Sequence, residues 1–479
     1  MSKIHQKWLV VASVLFGTFT VILNNSMLNP TLPTFMEMFQ VDAVAVSWIL
    51  TIYMVATGMT MPLTGFLGDR YGKKRTYIAG LIIFMAGSLG TAMSPNLSMI
   101  IIFRAIQGMA GGLMMPIAMA LIFHAFPRNE RGLAVGIYGV AAMVAPAIGP
   151  TVGGVIIQYF TWPFLFLFNI PFALLGVIFS LIYLKPTERN PKLKFDYIGF
   201  ILITFGIGAI LYVLGRGSTL ELLLSPFSLI LLIGGVLLVI GFVFYEQTVE
   251  QPLLDLSIFK ISTYRISILI TATASIGLFS GIFLLPLLIQ QVYHLSEVQT
   301  GLLFLPSALV SGVFMTIGGR ILDKRGPKLV IPTGLFVLGI FTLLLGFNKM
   351  TTSFWVILAL NAIRSAGLGM SNMPATTAGM NAIPDSKVAE GSAMNNIIRQ
   401  VAASFGIVFF SIYYEVRRAQ LFALHEDWSI EASTLQAINE SFLIAGIFIL
   451  IVAPSGYFLK GVKQLAEDKK KRLSERSRS

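Results

Sequence analysis

The 479 residues contain no cysteine, so disulfides and thiolate metal sites are excluded. Histidine is scarce as well. His5, His124, His294 and His425 stand far apart and near loops, without the spacing of a metal site. No phosphate-cradling GxxxxGK[ST] sequence occurs, which argues against an ATP-driven pump. These gaps point away from an enzyme, and no metal or cofactor is expected. Charge is equally thin: 12% of residues are Asp, Glu, Lys or Arg, against about 25% in a soluble domain.

What is present is apolar. Hydrophobic residues make up 56% of the chain and fall in continuous blocks of roughly 20. Such a block, wound as a helix, crosses about 30 Å of hydrocarbon. The blocks lack the alternation of a membrane barrel. They therefore predict an all-α, multi-pass membrane protein, with helices over 9–29, 45–67, 76–94, 99–123, 133–157, 164–184, 197–214, 227–246, 266–291, 299–321, 328–347, 353–375, 392–414 and 441–460. The basic start precedes a run too long for a typical signal peptide, so the first block reads as a retained helix.

The net charge of +12 does not mark a nucleic-acid binder, because the basic residues cluster between apolar blocks and in the tail Lys469–Arg472. Loops 68–75, 185–196 and 320–328 are basic and the alternate loops are not. By the positive-inside rule both termini are cytoplasmic. The longest outside loop, about 415–440, is polar and is expected to fold over the mouth.

The turn GFLGDRYGKKR (Gly65–Arg75) returns in degenerate form as GGRILDKRG (Gly318–Gly326), with Asp69 matching Asp323 and Gly72 matching Gly326 at a spacing of 254. Arg104 matches Arg364 at a spacing of 260. The repeat divides the chain into a six-helix bundle (1–190), two inserted helices (191–262), a second six-helix bundle (263–462) and a basic tail (463–479). Two such halves around a midplane site are a common transporter plan.

Several residues carry chemistry in this frame. Gly65 and Gly68 allow close helix approach, and Asp69 is placed to meet a helix N-terminus or an arginine. An arginine inside a span, such as Arg104, costs about 2.5–3.5 kcal/mol or more unless paired or hydrated. Pro146 and Pro150 each remove a backbone hydrogen bond and bend helix five, while Gly149, Gly153 and Gly154 permit tight contact. Arg399 has the depth and charge to pair with Asp69. The expected cavity lining is polar within apolar: Asn24, Asn25, Tyr53, Gln107, Gln290, Gln291, Asn361 and Asn372, with Met27, Met114 and Phe283 around them.

These motifs resemble those of the major facilitator superfamily, in its fourteen-helix drug:proton antiporter branch, and within it the lincomycin- and multidrug-resistance exporters of Gram-positive bacteria. GFLGDRYGKKR, FRAIQG (Phe103–Gly108), APAIGPTVGG (Ala145–Gly154), WPFLFLFNIP (Trp162–Pro171), GLLFLP (Gly301–Pro306) and the Asn395/Arg399/Gln400 pattern carry the likeness, over nearly the whole chain. The resemblance implies a bacterial cell-membrane exporter that rocks between inward- and outward-open states as a monomer. Its partners would be hydrophobic drugs or lipids, protons and membrane lipids. By the same resemblance Asp69 and Arg70 would stabilise the inside-closed state, Arg104 would serve proton coupling, and Gly149, Pro150, Gly153 and Gly154 would seal helix five. A lipid or fatty-acid exporter or flippase of the same fold is the alternative. An uptake permease or a non-transporting receptor fits the motifs less well.

One departure stands out. Many members of the branch carry an acid in helix one, where LNNSMLNPTLP (Leu23–Pro33) has Asn24. No Asp or Glu lies in the central part of any predicted helix. Arginine effectively never releases its proton and asparagine cannot titrate. Either an acid near the membrane edge, such as Asp69, Glu37 or Asp42, carries the proton, or coupling is weak or absent, and the cavity would favour neutral, zwitterionic or anionic amphiphiles.

Overall fold

The computed structural model describes residues 3–467 apart from 29–30, 42, 217–219, 296, 425–427, 463 and 466. Its α-helices in chain order are α1 (Lys3–Met27), α2 (Leu32–Phe39), α3 (Ala43–Thr60), α4 (Leu63–Tyr71), α5 (Lys73–Ala92), α6 (Leu97–Ala125), α7 (Arg131–Tyr159), α8 (Phe164–Leu167), α9 (Asn169–Tyr183), α10 (Tyr197–Arg216), α11 (Leu220–Leu224), α12 (Pro226–Glu246), α13 (Ser262–Leu287), α14 (Glu297–Arg325), α15 (Pro327–Leu344), α16 (Phe354–Ala382), α17 (Val388–Leu424) and α18 (Ile430–Val452). No strand occurs among the described residues.

Among the described residues, twelve helices are long and apolar enough to cross a bilayer, and counting each of two bent pairs as a span gives up to fourteen. The first bent pair joins α3 to α4 at 58°. The second is α7 itself, bent by 43° between Arg131–Pro146 and Thr151–Tyr159, across the segment that holds both prolines.

The chain gathers into two compact units. One comprises Met1–Ala125, Ala141–Leu256 and Lys387–Val401; the other comprises Phe126–Val140, Ser257–Ser386 and Ala402–Ser479. In the first, α6 lies against α1, α3 and α5, and α10 pairs with α12 and α3. Its core includes Leu23, Met27, Phe35, Ile49 and Phe166. In the second, α16 lies against α13, α14 and α15, around Leu285, Leu303, Ile357, Phe410 and Phe442. Each enclosed central helix carries one of the matched arginines, Arg104 on α6 and Arg364 on α16.

Three sequence expectations are corrected. Loop 68–75 is helical except at one residue: α4 runs to Tyr71, α5 starts at Lys73, and Gly72 between them has φ +94°. Loop 320–328 shrinks in the same way to Gly326, with φ +83° and Pro327 at the first helical position of α15. Charge interrupts the apolar pattern there without ending the helix. The expected outer loop 415–440 is also largely helix. Here α17 continues to Leu424, and α18 starts at Ile430 with Ser429 Oγ capping the Ala432 amide at 3.2 Å. Glu440, expected in that loop, lies inside α18 and accepts from Arg417 Nε and Nη2 at 2.6 and 3.1 Å. The loop residues His425, Glu426 and Asp427 and the basic tail Lys469–Arg472 lie outside the described residues.

Candidate functional site

Arg104 is fully buried in the first unit. Its Nε donates to the carbonyl of Ile49 at 3.0 Å, Nη1 to Asn24 Oδ1 and to Gln107 Oε1 (2.9 Å), and Nη2 to Asn25 Oδ1 at 3.1 Å. The guanidinium stands 4.1 Å from the centre of the Tyr53 ring, a cation–π distance. Tyr53 in turn donates to the carbonyl of Val21 at 3.0 Å, and Gln107 Nε2 to Ser88 Oγ at 2.7 Å. One side chain thus ties together α1, α3, α5 and α6. The α3–α6 contact is close because Gly108 and Gly112 face the carbonyls of Tyr53 and Thr57, where a Cβ would not fit.

Arg364 repeats the pattern in the second unit. Its Nε donates to Thr342 Oγ1 at 3.0 Å, Nη1 to Asn361 Oδ1 at 3.2 Å, and Nη2 to the carbonyl of Gly277. Asn361 Nδ2 donates to Ser307 Oγ at 2.8 Å. Both arginines are therefore held by neutral oxygens, with no carboxylate among these partners. A buried cation so held keeps its field, because hydrogen bonds satisfy the N–H groups without cancelling the charge. Such groups can attract an anion or orient a dipole, but they do not exchange protons.

The motif on α7 packs against α1. A Cβ on Gly149 would strike Ser26, and one on Gly153 the carbonyl of Met27, while Gly154 has open space beside it. Ser26 Oγ donates to the carbonyl of Ala145 at 3.2 Å, closing the same contact. The main chain of Pro150 lies at the bend, and Pro146 is exposed.

The two charged turns differ in their partners. Asp69 pairs with Lys73 Nζ at 2.8 Å, across the Gly72 break, and Arg70 Nη1 donates to the carbonyl of Leu193 at 2.8 Å. Asp323 instead accepts the Gly132 and Leu133 amides at 2.9 Å each, capping the N-terminus of α7 from another helix. Sequence reasoning matched these two acids but did not foresee the cap, which joins residues about 190 positions apart. It also missed the clamp on that helix start by Asp385, which pairs with Arg131 at 3.2 Å and Arg128 at 3.4 Å.

A second cluster was likewise missed. Gly65 leaves room for the side chain of Glu390, which accepts the Asp255 amide at 2.8 Å, and Asp255 pairs with Lys387. The only sequence signal was the glycine itself, a cavity waiting for a partner.

The other candidates are dispersed. Arg399 donates to Asn396 Oδ1 at 2.7 Å. Met27 and Met114 are fully buried, Met114 filling the space left by Gly17 and Gly80. Asn372 is buried with Oδ1 unpartnered. Phe283 lies edge-on to Tyr414, whose hydroxyl donates to Gln291 at 2.8 Å; Gln290 donates to Thr300 at 3.2 Å. These glutamines sit in a π-helical turn, Leu288–Val292. Glu37 is exposed on α2, and Asp42 lies outside the described residues.

Comparison with known proteins adds the following. The family model described as Major Facilitator Superfamily matches residues 14–407. The chain is 32% identical over 467 residues to the MFS-type transporter YcnB of Bacillus subtilis, covering 97% of this chain and 98% of that one. It is 29% identical to the lincomycin resistance protein LmrB of the same organism, over 95% of this chain and 96% of that one. Among solved structures, the human organic anion transporter MFSD10 aligns with a TM-score of 0.65 at 16% identity, covering 92% of this chain and 99% of that chain.

Proposed function

The chain belongs to the Major Facilitator Superfamily, and on that premise we propose that it exports hydrophobic or amphiphilic small molecules by alternating access, driven by proton antiport. The family fixes a multi-pass membrane transporter. Direction, cargo and coupling are the proposed part. The observation that carries the reading is α7. Its bend of 43° spans the APAIGPTVGG segment that the fourteen-helix antiporters share, and Gly149 and Gly153 seat it on α1. The lincomycin-resistance name of a relative matched along nearly its whole length supports the same direction.

Cargo follows from charge. The buried arginines have neutral partners, and Asn24 stands where relatives in the branch carry an acid. This favours neutral, zwitterionic or anionic amphiphiles over permanent cations. Proton carriage falls to carboxylates at the helix ends, with Asp69 the leading candidate and Glu37 and Asp42 the others. Arg104 acts as the positioning group that holds α1 through Asn24 and Asn25, with Tyr53 and Gln107 completing its shell. Gln290, Gln291, Asn361, Asn372 and Phe283, with Met27 and Met114, are proposed to shape the cavity. Gly65, Gly68, Arg70, Gly72, Asp323 and Arg399 belong to the gate.

The test is reconstitution into liposomes under an imposed pH gradient, with lincomycin as the first probe. Lincomycin-dependent proton flux supports antiport. Gradient-independent lipid scrambling without that flux would instead make the chain a flippase.

A further inference from the structure

The two inserted helices hold a pair of acids that no transport role above uses. Asp196 immediately precedes α10 and Glu246 ends α12; they are 8% and 4% exposed. One oxygen of each is satisfied. Asp196 Oδ1 accepts the Gly199 amide at 2.9 Å and the Tyr245 hydroxyl at 3.2 Å, and Glu246 Oε1 accepts the Leu254 amide at 2.7 Å. The remaining oxygens, Asp196 Oδ2 and Glu246 Oε2, are buried with no hydrogen-bond partner. Both crowd the same face of Gly199, where a Cβ would meet each of them.

Two ionised carboxylates do not settle in this arrangement. At Asp196 Oδ2 and Glu246 Oε2 each would lose water and meet only the repulsion of the other. One proton between them removes both costs, making one oxygen a donor and the other its acceptor. Tyr245 on α12 is the titratable side chain at hydrogen-bond distance from the pair. The segment before α13 presents the backbone amide of Leu254. On the side of α4, Arg70 donates to the Leu193 carbonyl instead. We propose that Asp196 Oδ2 and Glu246 Oε2 form a proton-binding site that holds a single shared proton and clasps the ends of α10 and α12.

The clasp reaches beyond the inserted pair. Consecutive amides in the following segment serve two acids: Leu254 N donates to Glu246 and Asp255 N to Glu390 near the start of α17. Loss of the shared proton leaves two facing negative charges, which draws Glu246 away from Asp196 and pulls on this strap. The bound proton therefore stabilises the fold at low pH, and that contribution disappears as pH rises.

Infrared spectroscopy of the full chain in lipid nanodiscs tests the site. A carboxylic-acid C=O band that shifts in D2O is expected at neutral pH, lost on alkalinisation, and missing from both Glu246→Gln and Asp196→Asn. Glu246→Gln can place an amide N–H toward Asp196 Oδ2, so its thermal midpoint is expected to lose the alkaline fall seen in the wild type. A wild-type spectrum without such a band overturns the proposal by itself, as does a band that persists in both variants. Sodium raising the wild-type midpoint at fixed pH, and not that of Glu246→Gln, would give the gap to a metal cation and also overturn it. None of these readouts measures transport, so the efflux reading stands or falls separately.

Discussion

Asparagine at position 323 should cost the protein far more stability than asparagine at position 69, although the two acids occupy matching places in the repeat. Asp323 Oδ1 and Oδ2 each accept a backbone amide of the first turn of α7 at 2.9 Å, with one oxygen per amide. In Asp323→Asn the oxygen keeps one amide, and the NH2 group faces the other donor to donor. A half-buried N–H left without an acceptor costs about 1–3 kcal/mol, and a negative charge lost from a helix N-terminus about 0.3–1 kcal/mol more. The sum is roughly 1.3–4 kcal/mol. Asp69 on α4 faces Lys73 at the start of α5 across the Gly72 break, with the carboxylate 32% exposed. An exposed pair of this kind is worth about 0.2–1 kcal/mol and is screened by salt. Thermal unfolding of both variants in one detergent, followed by tryptophan fluorescence, checks the order. Equal loss in the two variants, or a larger loss for Asp69→Asn, would refute the cap as the source of the difference.

Transport should respond the other way at the first turn: Asp69→Asn is expected to insert and fold yet lose lincomycin efflux, and full efflux in that variant would remove Asp69 from the mechanism. Arg104→Lys keeps the charge but not the planar fork that reaches Asn24, Asn25, Gln107 and the Ile49 carbonyl at once. It should lower both thermal midpoint and efflux, whereas wild-type behaviour of the lysine variant would show that charge alone suffices. Asn24→Asp sets a carboxylate against the Arg104 guanidinium, restoring the acid of the branch. Everted vesicles should then export the permanent cation ethidium faster relative to lincomycin, and an unchanged ratio would sever cargo charge from position 24.

Much of this protein can be read from its sequence. The fourteen apolar blocks, the repeat and the two intramembrane arginines follow from length, hydropathy and the cost of charge in lipid. The partners of those charges do not. Arg104 meets the Ile49 carbonyl and the ring of Tyr53 because glycines on α6 let α3 approach, and nothing local in FRAIQG specifies either partner. Helix ends outrun the apolar blocks: α17 and α18 extend over polar residues such as Arg417 and Glu440, which satisfy one another. The cap by Asp323 and the facing acids Asp196 and Glu246 join distant or interrupted segments, so no sequence period announces them.

Gly72 and Gly326 are the positive-φ glycines among the described residues, at φ +94°, ψ 136° and φ +83°, ψ 178°. That backbone region is closed even to asparagine, which tolerates ordinary left-handed turns. Around these two points the copies have drifted: Lys73 and Arg75 in one half stand opposite Pro327 and Leu329 in the other. If both halves descend from one ancestral unit, the charges at positions 73 and 75 have been negotiable during their divergence, and neither the matched acid nor this glycine has been. What inheritance preserved at the glycine is a missing carbon atom.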